Sequence, residues 1–132
     1  MMNKKVVNVA VGVIVKEDQY FVCKRSDEQH QGGLWEFPGG KVEKNESVEQ
    51  ALVRELAEEI GIEVKSSSHL LTIEHDYGDK AVRLVVHTVA DFTGEARGLE
   101  GQPSQWVDLE KLKELAFPSA NVAIIEALST KK

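Results

Sequence analysis

Three glutamates on one short segment carry the strongest chemical signal in the chain. At about 100° per residue of an α-helix, Glu55, Glu58 and Glu59 fall within one stripe of the helix surface. Like charges at this spacing repel one another and destabilise a helix. Clustered carboxylate oxygens are, however, the ligands that Mg²⁺ and Mn²⁺ prefer, and such an ion can hold phosphates. A solvated acidic face is the alternative interpretation of these glutamates taken alone.

The same segment predicts the helix that would hold the glutamates. Leu52, Val53, Leu56 and Ile60 fall on the flank next to the acidic stripe, where they would face a core. The helix is predicted to begin after Ser47, which forms a capping box with Gln50. It is predicted to run to about Ile60, where Gly61 can adopt the left-handed conformation that ends it. Arg54 would lie beside Glu58 and offset only part of the repulsion.

Strands surround this helix in the sequence. The apolar run 6–15 predicts a strand covered on both faces, and residues 20–25 return as its hairpin partner. Further strands are predicted at 70–74, 81–90 and 104–107. Asp108 is predicted to cap a short helix to about Leu115, and Ser119 or Asn121 to open a last helix reaching Leu128. This order predicts an α+β fold, an α/β/α sandwich with a mixed central sheet.

Length and charge limit the classes of function. A chain of 132 residues predicts one domain spanning residues 1–132. With 16 basic and 22 acidic residues, the net charge of −6 disfavours binding to a long nucleic acid. The N-terminal apolar run is too short to cross a membrane and has no cleavage site, so we expect no membrane partner. The single cysteine, Cys23, fits a reducing compartment and predicts a cytoplasmic protein.

The residues around the glutamates form a longer pattern, G-x5-E-x7-R-E-U-x-E-E-x-G-U, in which U is a bulky aliphatic residue. The chain matches it with Gly40, Glu46, Arg54, Glu55, Leu56, Glu58, Glu59, Gly61 and Ile62. Average residue frequencies put a chance match on the order of 10⁻⁸ for a chain of this length. The segment resembles the signature of the Nudix hydrolases, and nearly the whole chain resembles their MutT-type nucleoside triphosphate pyrophosphohydrolases. The segments 36–41, 100–103 and 117–121 carry this closer resemblance.

The resemblance implies a Nudix fold and a set of metal ligands. These would be the carboxylates of Glu55, Glu58, Glu59 and Glu100 with the backbone carbonyl of Gly39. Arg54 belongs to the same catalytic group. Glu55, Glu58 or Glu59 would help deprotonate the attacking water, and the sequence leaves open which one does, because coupled carboxylates share their titration.

The resemblance also implies substrate-binding residues. Arg25 matches an arginine that contacts substrate phosphate, and Phe37 is the expected wall against the base. Asn121 would read 8-oxoguanine, since one carboxamide can donate to O6 and accept from the N7–H that only the oxidised base carries. Tyr77 and Lys80 would lie in the outer pocket, where close relatives carry Phe and Arg.

The expected activity is Mg²⁺-dependent hydrolysis of 8-oxo-dGTP to 8-oxo-dGMP and pyrophosphate, with Mn²⁺ as a possible substitute. Its role would be to cleanse the nucleotide pool and so prevent mutation. The expected partner is a nucleoside triphosphate, bound by a monomer. Two alternatives stay open: a pyrophosphohydrolase for CTP or a modified pyrimidine nucleoside triphosphate, and a non-catalytic nucleotide-sensing Nudix domain.

Overall fold

The computed structural model describes residues 5–25, 33–76 and 78–130. The strands are β1 (Lys5–Lys16), β2 (Gln19–Lys24), β3 (Trp35–Glu36), β4 (Gly39–Lys41), β5 (Glu63–Asp76), β6 (Lys80–Thr93) and β7 (Ser104–Val107). The helices are α1 (Val48–Ile60), α2 (Leu109–Glu114) and α3 (Ser119–Thr130). In these ranges no helix is both long and apolar enough to span a membrane.

Strand β1 lies at the centre of a mixed sheet. It pairs in parallel with β6, from Lys5 opposite Lys80 to Ile14 opposite Val89, and antiparallel with β2 and β4. Strand β5 pairs antiparallel with β6, while β3 and β7 both pair antiparallel with β2. The main path therefore runs β3-β2-β1-β6-β5, with β4 on β1 and β7 on β2.

Side chains of β1 alternate between two hydrophobic cores. Ala10 and Ile14 belong to the core under α1, whereas Val11 and Val13 belong to the core under α2 and α3. Because both faces of β1 are covered, its sequence is almost continuously apolar. This arrangement confirms the predicted α/β/α sandwich.

Helix α1 has the predicted ends. The Ser47 hydroxyl accepts from the Gln50 amide at 3.0 Å, and the Gln50 side chain accepts from the Ser47 amide at 2.8 Å. Gly61 ends the helix at φ 75°, where its N–H donates to the carbonyl of Ala57. One predicted core residue was wrong, since Val53 is 43% exposed. It lies at the far edge of the apolar stripe, beyond the reach of the sheet.

Two strands are longer than predicted. Strands β5 and β6 each have 14 residues, although only 70–74 and 81–90 carried a strand pattern. The additional residues of β5, around Ser66 and Ser68, pair with β6 through shifts in register. Pairing with a neighbouring strand rather than burial extends this part of β5, so its sequence is polar.

We expect Ser47→Ala to lower the free energy of unfolding by about 1 kcal/mol, because the amide of Gln50 loses its acceptor at the start of α1. Urea denaturation measures the change. Ser68→Ala is the matched control: Ser68 is an exposed strand serine, and its replacement should change stability by less than about 0.5 kcal/mol. Equal losses in both variants would contradict a capping role for Ser47.

Candidate active site

Helix α1 lies against β4, and two glycines of β4 allow the approach. A Cβ on Gly40 would lie 2.4 Å from the carboxyl carbon of Glu55, so a side chain there would displace that carboxylate from its present position. A Cβ on Gly39 would lie 2.0 Å from the carbonyl oxygen of Ala10, which forces glycine where β4 pairs with β1. The Gly39 amide also donates to Glu59 at 3.4 Å. Both glycines therefore shape the surface on which the glutamates lie.

Glu55 and Glu59 are one helical turn apart and share a hydrogen bond. Burial raises the pKa of Glu59 to about 8, with the hydrogen bond to Glu55 and the negative charge of Glu55 acting in the same direction. The charge of Glu100 also raises this pKa, while the Gly39 amide opposes the shift. Glu59 thus retains a proton at a pH where isolated glutamates have lost theirs.

Arg54 binds the carboxylate of Glu55, the partner of Glu59. Its guanidinium donates to both carboxylate oxygens of Glu46, at 2.8 and 3.0 Å, and to Glu55 at 2.7 Å. It also donates to the carbonyl of Lys41 at 3.0 Å, and it lies 3.8 Å from Glu58. The hydrogen bonds from Arg54 lower the pKa of Glu46 to about 2. The sequence indicated the contact with Glu58, but the shorter ones are to Glu46 and Glu55.

Sequence reasoning gave Glu46 no role, although it is part of the matched pattern. Its carboxylate is mostly covered and fixes Arg54 by a two-pronged ion pair. The only available signal was its fixed spacing of eight residues from Arg54. That spacing places Glu46 just before α1, within reach of the second turn of the helix.

The segment 94–103 brings Glu100 to the end of α1. The amide of Leu99 donates to the carbonyl of Glu59 at 3.0 Å, and the amide of Arg97 donates to the carbonyl of Ile60 at 3.0 Å. Glu100 itself lies in an exposed turn, close enough for its charge to act on Glu59. A residue distant in sequence thus joins the acidic cluster.

The donor chemistry fits a divalent cation. Two carboxylates one helical turn apart present hard oxygens of the kind that a divalent ion binds. Within the described ranges, no three His, Cys, Asp or Glu side chains converge tightly enough to hold one ion as they lie. Glu58 is 59% exposed, and Glu100 also points from an exposed turn, so their side chains must turn inward to complete a site.

The residues predicted to bind the substrate are not clustered as the glutamates are. Arg25 forms an ion pair with Glu36 on the neighbouring strand β3, and both side chains are partly exposed. Phe37 is only 4% exposed, because its ring stacks on Phe117 with centroids 5.4 Å apart. Little of its surface is therefore left to contact a base. Asn121 lies half-buried in the first turn of α3, inside a helix that begins at Ser119.

Lys80 and Tyr77 were predicted to line the outer part of the substrate pocket, and the structure does not place Lys80 beside the other predicted substrate residues. Lys80 is exposed at the first position of β6, opposite Lys5 of β1. Tyr77 lies outside the described residues. Sequence reasoning overlooked Val9 and Leu84, which are paired across β1 and β6 and lie half-buried on the sheet face that also buries Phe37. Their alternation along the strands was the signal that could have indicated an apolar floor.

An α/β/α sandwich with glutamates clustered on one helix is consistent with the class of metal-dependent hydrolases. The model of the NUDIX domain family matches residues 10–127, so the chain belongs to the Nudix hydrolase family, as predicted. Nudix hydrolases generally require a divalent metal, which agrees with the donor set described above.

Within this family, the chain is similar to several nucleotide pyrophosphohydrolases. An "8-oxo-dGTP diphosphatase" of Proteus vulgaris is 45% identical over 102 residues, which are 76% of this chain and 91% of that protein. A "CTP pyrophosphohydrolase" of Escherichia coli is 33% identical over 93% of this chain and 91% of its own length. A MutT structure from work on Aliivibrio salmonicida and Vibrio cholerae has a TM-score of 0.83 and 38% identity, covering 92% of this chain and 95% of its own.

The raised pKa of Glu59 predicts a pH-dependent stability in EDTA. Between its ordinary value of 4.5 and about 8, Glu59 ionises in the unfolded chain before it ionises in the folded one. Its contribution is fully present below the lower value, and the free energy of unfolding should fall as pH rises toward the upper one. Urea denaturation between about pH 5 and about pH 9 measures this slope.

Glu59→Gln should flatten that slope, because glutamine does not titrate. The other groups that face Glu59 are Glu55, Glu100 and Cys23, and burial raises the pKa of Cys23 to about 12, beyond the range tested. Parallel pH profiles for the wild type and the variant would show that Glu59 does not retain a proton in the folded chain.

Proposed function

We propose that the chain hydrolyses 8-oxo-dGTP to 8-oxo-dGMP and pyrophosphate, with Mg²⁺ as the ion and Mn²⁺ as a substitute. The carrying observation is the pair Glu55–Glu59, one helical turn apart and held beside Gly39 and Gly40, in a chain that retains every carboxylate of the Nudix pattern. The Proteus vulgaris relative that bears the name 8-oxo-dGTP diphosphatase supports this substrate. We infer a monomer that acts on free nucleotides, in keeping with the net charge of −6.

The ligands proposed for the ion are Glu55, Glu58, Glu59, Glu100 and the carbonyl of Gly39. When bound, the ion would neutralise phosphate charge and lower the pKa of the attacking water. Arg54 fixes the Glu55 carboxylate by a 2.7 Å hydrogen bond. One of Glu55, Glu58 and Glu59 accepts the proton of the water that attacks the β-phosphorus.

The remaining proposed residues bind the nucleotide. Arg25 would contact the phosphates, exchanging its partner Glu36 for the substrate. Phe37 would border the base through its stacked neighbour Phe117, and Lys80 and Tyr77 would lie further out. Asn121 would read the oxidised edge of the base from the first turn of α3.

We expect Glu55→Gln to lower kcat/KM by about 10²–10⁴-fold, since the water loses a positioned base or the ion loses a ligand. Pyrophosphate release with added Mg²⁺ measures the loss. The folded chain should be retained, because the substitution removes one charge from a repelling pair. Glu110→Gln, on the exposed face of α2, is the control and should match the wild type. Full activity in Glu55→Gln would remove Glu55 from the reaction.

Readout of the base by Asn121 predicts how kcat/KM differs among nucleotides. The wild type should favour 8-oxo-dGTP over dGTP, CTP and 5-methyl-dCTP in kcat/KM. A buried hydrogen bond lost at the base costs roughly 1–3 kcal/mol, so Asn121→Ala should reduce the ratio of kcat/KM for 8-oxo-dGTP to that for dGTP about 5- to 150-fold. Val122→Ala, the exposed neighbour on α3, should leave the ratio unchanged. An unchanged ratio in Asn121→Ala would contradict readout by this residue.

Hydrolysis of CTP is the second candidate function, because a CTP pyrophosphohydrolase is similar over 93% of the chain. A preference of the wild type for CTP or 5-methyl-dCTP in the same panel would favour it over the oxidised purine.

A further inference from the structure

Gln102 connects three parts of the acidic site through one carboxamide. Its side-chain oxygen accepts from the backbone N–H of Glu100 at 2.9 Å. Its side-chain nitrogen donates to the backbone carbonyl of Glu59 at 3.4 Å and lies 4.0 Å from the Sγ of Cys23. The turn that carries Glu100 is thereby tied to the C-terminal end of α1 and to β2.

A carboxamide can make both contacts because it both donates and accepts. The surrounding loop is built tightly around it: a Cβ on Gly98 would lie 2.2 Å from the carbonyl oxygen of Gln102. The next residue, Pro103, is fixed as well, since its carbonyl accepts from the amide of Lys24 at 2.9 Å. The backbone around Gln102 is therefore held in place by the rest of the fold. Glu100 lies in an exposed turn, and Gln102 binds the backbone of that turn.

We propose that Gln102 is a positioning residue for the metal site, which holds the backbone of Glu100 against the end of α1 so that the Glu100 carboxylate can join Glu59. This inference rests on the proposed function, in which Glu100 is a metal ligand. Gln102 touches neither substrate nor ion in this role and acts only through Glu100. Residues that orient metal ligands typically contribute 10- to 100-fold to affinity.

Titration with Mn²⁺ in the absence of nucleotide, followed by the electron paramagnetic resonance of the free ion, tests the proposal without using activity. Gln102→Met removes both hydrogen bonds and should weaken Mn²⁺ binding about tenfold, as Glu100→Gln should. The double variant should bind no more weakly than Glu100→Gln alone, since Gln102 has no other route to the ion. Gln105→Met, at a half-buried glutamine in β7, is the matched control and should bind as the wild type does.

The dependence of kcat on Mg²⁺ separates a positioning role of Gln102 from a role in loop structure alone. If Gln102 positions a ligand, raising Mg²⁺ should restore kcat in Gln102→Met, and the KM for the nucleotide at saturating Mg²⁺ should stay near the wild-type value. Gln102→Asn keeps the chemistry but shortens the reach, so it should show the same loss of Mn²⁺ affinity if Gln102→Met fails to fold.

Wild-type Mn²⁺ affinity in the folded Gln102 variants, beside a weakened Glu100→Gln, would overturn this inference and leave the proposed function intact. A double variant that loses the full factor of each single change would also overturn it. If Glu59→Gln and Glu100→Gln both bind Mn²⁺ like the wild type, the metal site fails, and the proposed function fails with it.

Discussion

Repulsion between Glu55 and Glu59 is the constraint around which the rest of the site is arranged. The two carboxylates lie one helical turn apart and partly removed from water, and burial together with the charge of Glu55 raises the pKa of Glu59. Arg54 restrains Glu55 from the outer side, and the Gly39 amide restrains Glu59 from the inner side. The negative charge that remains favours a cation, which agrees with the proposed hydrolysis of a polyanionic substrate by an acidic chain.

Helix α1 must stay folded despite this repulsion. Its apolar flank, which lies next to the acidic stripe, provides the stabilisation. Leu52, Leu56 and Ile60 are fully buried in the core shared with β1. A capping box at one end and a left-handed glycine at the other satisfy the backbone groups that a helix leaves unpaired. Apolar packing on one face therefore supports a cluster on the next face that would, by itself, destabilise the helix.

Local patterns predicted local structure well. The bounds of α1 and the buried β1 followed from capping residues and apolar periodicity, which act within a few positions of the chain. The contact of Glu55 with Glu59 followed from helical spacing alone. The bond from Arg54 to Glu46 and the docking of Glu100 on α1 did not, because they join elements whose relative placement only the folded sheet determines. The extended β5 escaped prediction for the same reason, since its polar half is held by pairing.

The two sides of the site differ in how ready they are for a ligand. On the acidic side, Glu55 and Glu59 lie together, but the exposed side chains of Glu58 and Glu100 would still have to turn inward to bind an ion. On the nucleotide side, Arg25 is paired with Glu36, and Phe37 is covered by Phe117. A substrate phosphate that takes Arg25 releases a carboxylate whose charge also reaches Cys23, as the charges of Glu59 and Glu100 do. The proposed nucleotide site would therefore exchange an existing ion pair for a new one, whereas the proposed metal site requires exposed carboxylates to move.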